Sequence, residues 1–319
     1  MDFNLSEVQR AWKERAESLA RDLPSGVVPE DLIVRAARVG LFDANADLGA
    51  AVVAAQTIAE ESTAAAMIFA MHTGVVLAEA AGDHLVRGES VGAISLSSED
   101  VPVEGGSRLS GRAWWVGPVT DHGVAIVGAR SGGELVASVV ALDAPGVHLE
   151  AVRTAALQGF PCAHIKFESA PCTLLGSPRP IMARVRVLLA SVGLGMGRRA
   201  LREALHAAHA YSRTGAGGEQ TVQGLLADAA TELDAATLLT WKAAEGHPLS
   251  LAEASMAKLA ATEATQRAVA RATQVVGSDT FRSGHIVERL AQDVRALELF
   301  AGRTESLREA VADELLPKT

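Results

Sequence analysis

Near the end of the chain, in the stretch ELFAGRTE, Glu298 and Glu305 stand three residues before and four after Ala301. A continuous helix through the stretch would bring both carboxylates to one face. A carboxylate there could remove a proton from a bound substrate as a general base. The plainer account is a pair of solvated surface acids. His206 and His209 share a helix face at i, i+3, but no carboxylate or third histidine joins them at ligand spacing, so they read as helix histidines rather than a metal site. The glycine-rich TGAGGE, residues 214–219, has neither a strand before it nor Lys-Ser/Thr after it, so it does not read as a phosphate-cradling loop. Cys162 and Cys172 lack CxxC spacing and an adjacent histidine, and read as free thiols.

The elements that must position such residues fall into three parts. From Leu5 to about His84 the pattern is helical: Val8, Trp12, Ala16 and Leu19 recur three or four apart, with Asn4 or Ser6 available as a cap. The run from Ala50 to Ala81 is apolar nearly all round, which predicts a buried helix. From about Ala93 to Gly176, short β-rich runs (VAIVGAR, LVASVVALD, VHLEAV, HIKFES) alternate with Gly, Pro, Asp and Ser, the texture of a small antiparallel sheet. From about Pro180 to Leu316, helical periodicity returns in four long segments. The expected fold is therefore α+β and mainly α: a helical region over 1–90, a β-sheet domain over 91–177 and a four-helix bundle over 178–319.

Composition narrows the function classes. The 319 residues carry a formal net charge of -9 and no Lys/Arg-rich run, which gives no basic field for nucleic acid or an anionic membrane. The first residues mix acids, bases and polar groups, unlike a signal peptide. Apolar runs such as VLLASVGLGMG fall short of the roughly 20 residues that span a bilayer. A cytoplasmic, soluble protein is expected. Aromatics are only 4% of the chain while hydrophobic residues are 49%, a balance that fits closely packed Ala-rich helices.

Four segments, in order, carry a resemblance. GFPCAHIKFESAPCTLLG (159–176), QTVQGLLAD (220–228), SMAKLAATEATQRAVARATQVVG (255–277) and ERLAQDVRA (288–296) resemble, respectively, the end of the β-domain, the Gln-x-Val-Gln-x-x-Leu-Ala-Asp helix, the helix before the Gly-Gly turn and the segment before the catalytic turn of the acyl-CoA dehydrogenase family. The helix–sheet–helix order resembles that family too. The resemblance implies FAD held between β-domain and C-terminal helices, often across a dimer contact. It also implies oxidation of an acyl thioester at Cα and Cβ, where a glutamate removes the α-proton and the flavin takes the β-hydride.

Measured against the family pattern, the chemistry is incomplete. Aligning Phe300 and Gly302 with the family's Tyr-Glu-Gly-Thr turn puts Ala301 in the glutamate column, and a methyl group accepts no proton. Losing a general base is worth about 10² to 10⁴ in rate. Some members carry the base on an earlier helix; aligning Gly197 there puts Val187 or a neighbour in the site. The loop after the second helix (GLFDANADLGAAVV), the SLSSEDVP stretch at 95–102, TGAGGE after Arg213 and GSDT at 277–280 all depart from the family's cofactor-contacting loops. Positions that match are Trp115, which by resemblance packs on the flavin although Gly117 replaces the following Thr or Ser; Arg213, which would meet the diphosphate; and Gln220, Gln274 and Gly277. Trp115 also reads as a core aromatic of the sheet, and Arg213 as a helix C-terminal cation.

Three kinds of protein remain open. One is a flavoprotein acting on a CoA- or carrier-bound acyl thioester with Glu298, Glu305 or another unusual base, or as one subunit of a mixed complex. Another is a repurposed, flavin-independent enzyme for proton transfer or cyclisation. The last is a non-catalytic partner. A homodimer, homotetramer or hetero-oligomer with a related subunit is expected.

Overall fold

The computed structural model describes residues 4–23, 28–43, 47–78, 82–96, 101–212 and 219–316. Five helices come first: α1 (Glu7–Arg21), α2 (Leu32–Arg38), α3 (Leu48–Ala59), α4 (Thr63–Val76) and the short α5 (Asp83–Val86). α1 starts at a reciprocal capping box, in which the Ser6 hydroxyl receives the Gln9 N–H and the Gln9 side chain receives the Ser6 N–H. Asp47 and Ser62 cap α3 and α4 in the same manner, by accepting an orphan N–H of the first turn. The long apolar run read as one buried helix is thus two: Ser62 starts a new helix after α3 ends at Ala59, and all of α4 is buried.

Eight strands follow: β1 (Gly92–Ser95), β2 (Val103–Glu104), β3 (Arg108–Val116), β4 (Val124–Ser131), β5 (Glu134–Ala141), β6 (Val147–Val152), β7 (Cys162–Pro171) and β8 (Thr173–Gly176). They form two four-stranded sheets, β1-β4-β5-β8 and β2-β3-β7-β6, rather than one antiparallel sheet. The exception to antiparallel pairing is β1 with β4: β2 and β3 lie between them in sequence but belong to the other sheet, so the chain leaves the first sheet and returns in the same direction. Along β4 the two faces part company. Ala125, Val127 and Ala129 pack into the core between the sheets, and Ile126 packs into the helical core, as strict alternation requires. His72, wholly buried on α4, accepts the Gly92 N–H at Nδ1 and lies 3.1 Å from the Leu85 carbonyl at Nε2, tying helix to sheet. Burial pushes its pKa down to about 4, so it stays neutral.

The C-terminal helices are α6 (Arg179–Ser212), α7 (Glu219–Glu245), α8 (Leu251–Val276), α9 (Ile286–Leu299) and α10 (Thr304–Leu315), with a 3₁₀ turn at Gly277–Phe281. α10 is a fifth helix, additional to the four long segments read from periodicity. α6 holds a stretch long and apolar enough to cross a bilayer, yet 83% of that stretch is buried, which marks it as the central core helix. Three glycines let neighbours close on it. A Cβ at Gly195 would lie 2.3 Å from the Gln56 carbonyl of α3, one at Gly197 2.4 Å from Leu233 of α7, and one at Gly193 3.2 Å from Leu297 of α9. The obstacle at Gly195 is backbone, which cannot rotate away. Gly195→Ala should therefore cost about 1–3 kcal/mol of stability, measured as a lowered urea midpoint at unchanged m-value; an unshifted midpoint would show that α3 and α6 are not in that register.

Candidate functional site

Between the sheets and helices lies a cavity of about 440 Å³, within the range of small-molecule sites. Trp114 and Trp115 of β3 form one wall, Met71 and Ile94 another, Met182 and Val185 of α6 a third, and Leu299, Phe300 and Ala301 close it. The structure thus brings Trp115 and Ala301 to one space. It also resolves the earlier-helix position: Val185, not Val187, lines the cavity, and Val187 is fully buried away from it. A helix advances 100° per residue, so two positions of shift turn a side chain to the far side.

Trp115 sits at an irregular step of β3 with φ +54°. Its N–H donates to His164 Nδ1 at 3.3 Å, and both indoles meet the His164 ring edge-on, at 4.8 Å for Trp114 and 5.4 Å for Trp115. Half of Trp115 is exposed (51%), so it is a free aromatic face and not a core aromatic.

The turn that carries Ala301 is held from below. α9 ends at Leu299, and the carbonyls of its last turn and of the residues that follow have no helical partner. Two cations satisfy them. Lys258 Nζ donates to the Glu298 carbonyl (3.1 Å) and the Gly302 carbonyl (2.9 Å); Arg186 Nε donates to the Ala301 carbonyl (3.0 Å) and its Nη1 to Ser255 Oγ (2.6 Å). Ala301 adopts φ +56° and Gly302 φ +111°. A side chain at 302 would meet the Arg186 guanidinium, its Cβ 2.9 Å from Nη2. Lys258 has no exposed surface and Arg186 only 6%. Burial, assisted by Arg186 and opposed by Glu298, pushes the Lys258 amine down to about 7, and burial brings Arg186 down to about 10. A neutral amine still has two N–H donors for its two carbonyls.

The two flanking glutamates are not brought to the cavity. Glu298 accepts from Gln266 Nε2 and Thr304 Oγ1, both at 2.8 Å; Glu305 is exposed in the first turn of α10. The turn between Leu299 and Thr304 breaks the continuous helix that would have aligned them. Gln220 opens α7, and Gln274 and Gly277 close α8; none of them lines the cavity. Arg213 and residues 97–100 lie outside the described residues.

The fit of a flavin is mixed. A planar ring suits the exposed indole of Trp115 and the apolar walls. A hydroxyl-bearing side chain at 117 does not: a Cβ on Gly117 would come within 2.7 Å of the Phe160 ring, which itself packs edge-on against Phe300 at 5.7 Å. The ring face fits; position 117 offers no side-chain hydrogen bond.

Residues 180–316 match the model of the acyl-CoA dehydrogenase C-terminal domain. This stretch, α6 to α10, is similar to the C-terminal domain of acyl-CoA dehydrogenases. The chain is 27% identical over 263 residues to benzylmalonyl-CoA dehydrogenase of Aromatoleum aromaticum, covering 72% of this chain and 69% of that protein. It is 28% identical over 264 residues to the human mitochondrial short-chain specific acyl-CoA dehydrogenase, covering 72% and 64%; the chain thus spans less than two thirds of that enzyme. The structure superposes on butyryl-CoA dehydrogenase from Megasphaera elsdenii with a TM-score of 0.89 over 99% of this chain and 100% of the other, at 19% identity, which shows a shared fold. The fold expected from sequence is the fold observed.

Lys258 yields a titration with a fixed sign. Its folded pKa is depressed, so between about 7 and 10.5 the unfolded lysine holds a proton that the folded one has released, and stability rises with pH across that window. Compared with Lys258→Met, the wild-type chain should gain about 3–5 kcal/mol as pH climbs through it, read by urea unfolding at several pH values. A difference that stays flat would mean that the buried amine keeps its proton.

Proposed function

We propose that the chain is a flavin-linked subunit for α,β-oxidation of an acyl thioester, working in a mixed assembly whose second, glutamate-bearing chain supplies the base. One observation carries this reading: the base-bearing turn keeps its clamped shape while the cavity beside it has no carboxylate among its described lining residues, and Ala301 presents a methyl group. The chain's similarity to acyl-CoA dehydrogenases supports the substrate class, and the missing base supports the need for a partner. The related subunit would sit with this one in the cytoplasm.

Trp115 would hold the flavin ring and Arg213 its diphosphate, the latter through a bidentate guanidinium. When bound, FAD supplies the acceptor for the β-hydride. This chain's own residues seat the acyl group between Met71, Ile94 and Val185 and keep water from it. Its Ala301 moves no proton, so unaided turnover should fall by the 10² to 10⁴ that a general base is typically worth. A second reading, non-redox use of the cleft without flavin, is favoured by the crowding of position 117 by Phe160.

Tagged and purified from its own cells, the chain should copurify with a glutamate-bearing family member, and the pair should be yellow and dehydrogenate acyl-CoA where this chain alone does not. Dehydrogenation by the isolated chain would overturn the reading; a colourless protein that turns over a thioester without redox change would select the second. In the yellow complex, Trp115→Ala should lower flavin absorbance per protein, and unchanged occupancy would remove Trp115 from the cofactor's seat.

A further inference from the structure

The cavity wall carries a single charged residue among those described, Arg153. The other lining side chains are apolar or neutral. The Cys162 thiol joins them as an uncharged group, since burial pushes its pKa up to about 11. Arg153 makes no hydrogen bond or ion pair with any described residue, unlike the paired arginines at 112, 198, 199, 202 and 271. Its place is nevertheless fixed. It begins the strap 153–157 that closes one side of the cavity, and the strap is pinned where the Leu157 N–H donates to Asp293 Oδ1 at 2.6 Å and where Thr154 Oγ1 donates to the Ala156 carbonyl at 2.6 Å. Arg153 also lines the outer groove that runs past Phe160 and Val28, so the guanidinium stands where the apolar space meets the solvent.

An apolar cavity with one unpaired cation at its edge has the chemistry to receive an amphipathic anion. We infer that the site takes a free aliphatic carboxylate, its chain in the cavity and its carboxylate on Arg153. This goes beyond the mixed-assembly reading and does not rest on it: no partner, base or flavin is needed for the acid to bind, so either can fail while the other stands. A neutral chain of the same length would gain the apolar burial alone; a carboxylate adds a charge-assisted pair with a guanidinium, screened by salt because the head is partly exposed.

The test uses the full chain as purified, with decanoate and decanol as probes and the emission of the cavity-lining Trp114 and Trp115 as the signal. Decanoate should bind saturably and about threefold to tenfold more tightly than decanol, with the preference narrowing as salt rises. Arg153→Ala should abolish the preference while decanol binds as before, and Arg153→Lys should keep part of it. Arg153 is exposed, so neither variant disturbs the core. Equal affinity of the wild-type chain for the two probes, or no saturable response to decanoate, would overturn the inference.

Discussion

Two buried cations under one turn hold the site together. α9 ends just before Phe300, and the carbonyls of Glu298, Ala301 and Gly302 would be left without partners in an apolar interior if Lys258 and Arg186 did not donate to them. An unpaired buried carbonyl costs about as much as a lost hydrogen bond, so the two side chains fix where the chain turns and where α10 starts. They also tie α6 and α8 to α9 through one polar node. The cost of burying the charges appears in the lowered pKa of each, and the shape of the turn is what that cost maintains.

On the proposed reading, that division explains how a site can lack a base and keep its shape. The turn's geometry depends on backbone carbonyls and on side chains of other helices, and not on the side chain of residue 301. Exchanging a carboxylate for a methyl there removes the proton acceptor and leaves the scaffold intact, a concrete instance of function residing in a site carried by a fold. On the opposite wall, Gly117 leaves room for the Phe160 ring, which a Cβ at 117 would meet at 2.7 Å. Among the described residues the site is an apolar space with an indole face, a clamped turn and one guanidinium, that of Arg153.

Much of the fold was legible because its signals are local. The Ser6–Gln9 capping box, the 3.6-residue periodicity of α7 to α9 and the alternation along β4 each leave a mark within a few residues. The split between α3 and α4 was hidden by an apolar run that Ser62 interrupts with a cap. The parallel pairing of β1 with β4 was hidden because pairing is set by the path of residues between them. At the site, Ala301 and Trp115 could be found from sequence, since each sits in a recognisable stretch. Val185, Lys258, Phe160 and Arg153 could not: their roles come from three-dimensional neighbours, and a lysine in an Ala-rich helix looks like any other until its carbonyl partners are known. Glu298 and Glu305 misled for the same reason, because their shared face presumed a helix that the turn interrupts.

On the proposed reading this chain, alone, has no group among its described cavity residues able to take an α-proton from a thioester. The most direct measurement is deuterium uptake at Cα of decanoyl-CoA incubated with the isolated chain in D₂O and read by mass spectrometry, since exchange reports a base whether or not oxidation follows. Uptake should be no faster than in protein-free buffer. Enzyme-dependent uptake that Ala301→Glu does not exceed would contradict it, by showing that a base already works in this cavity.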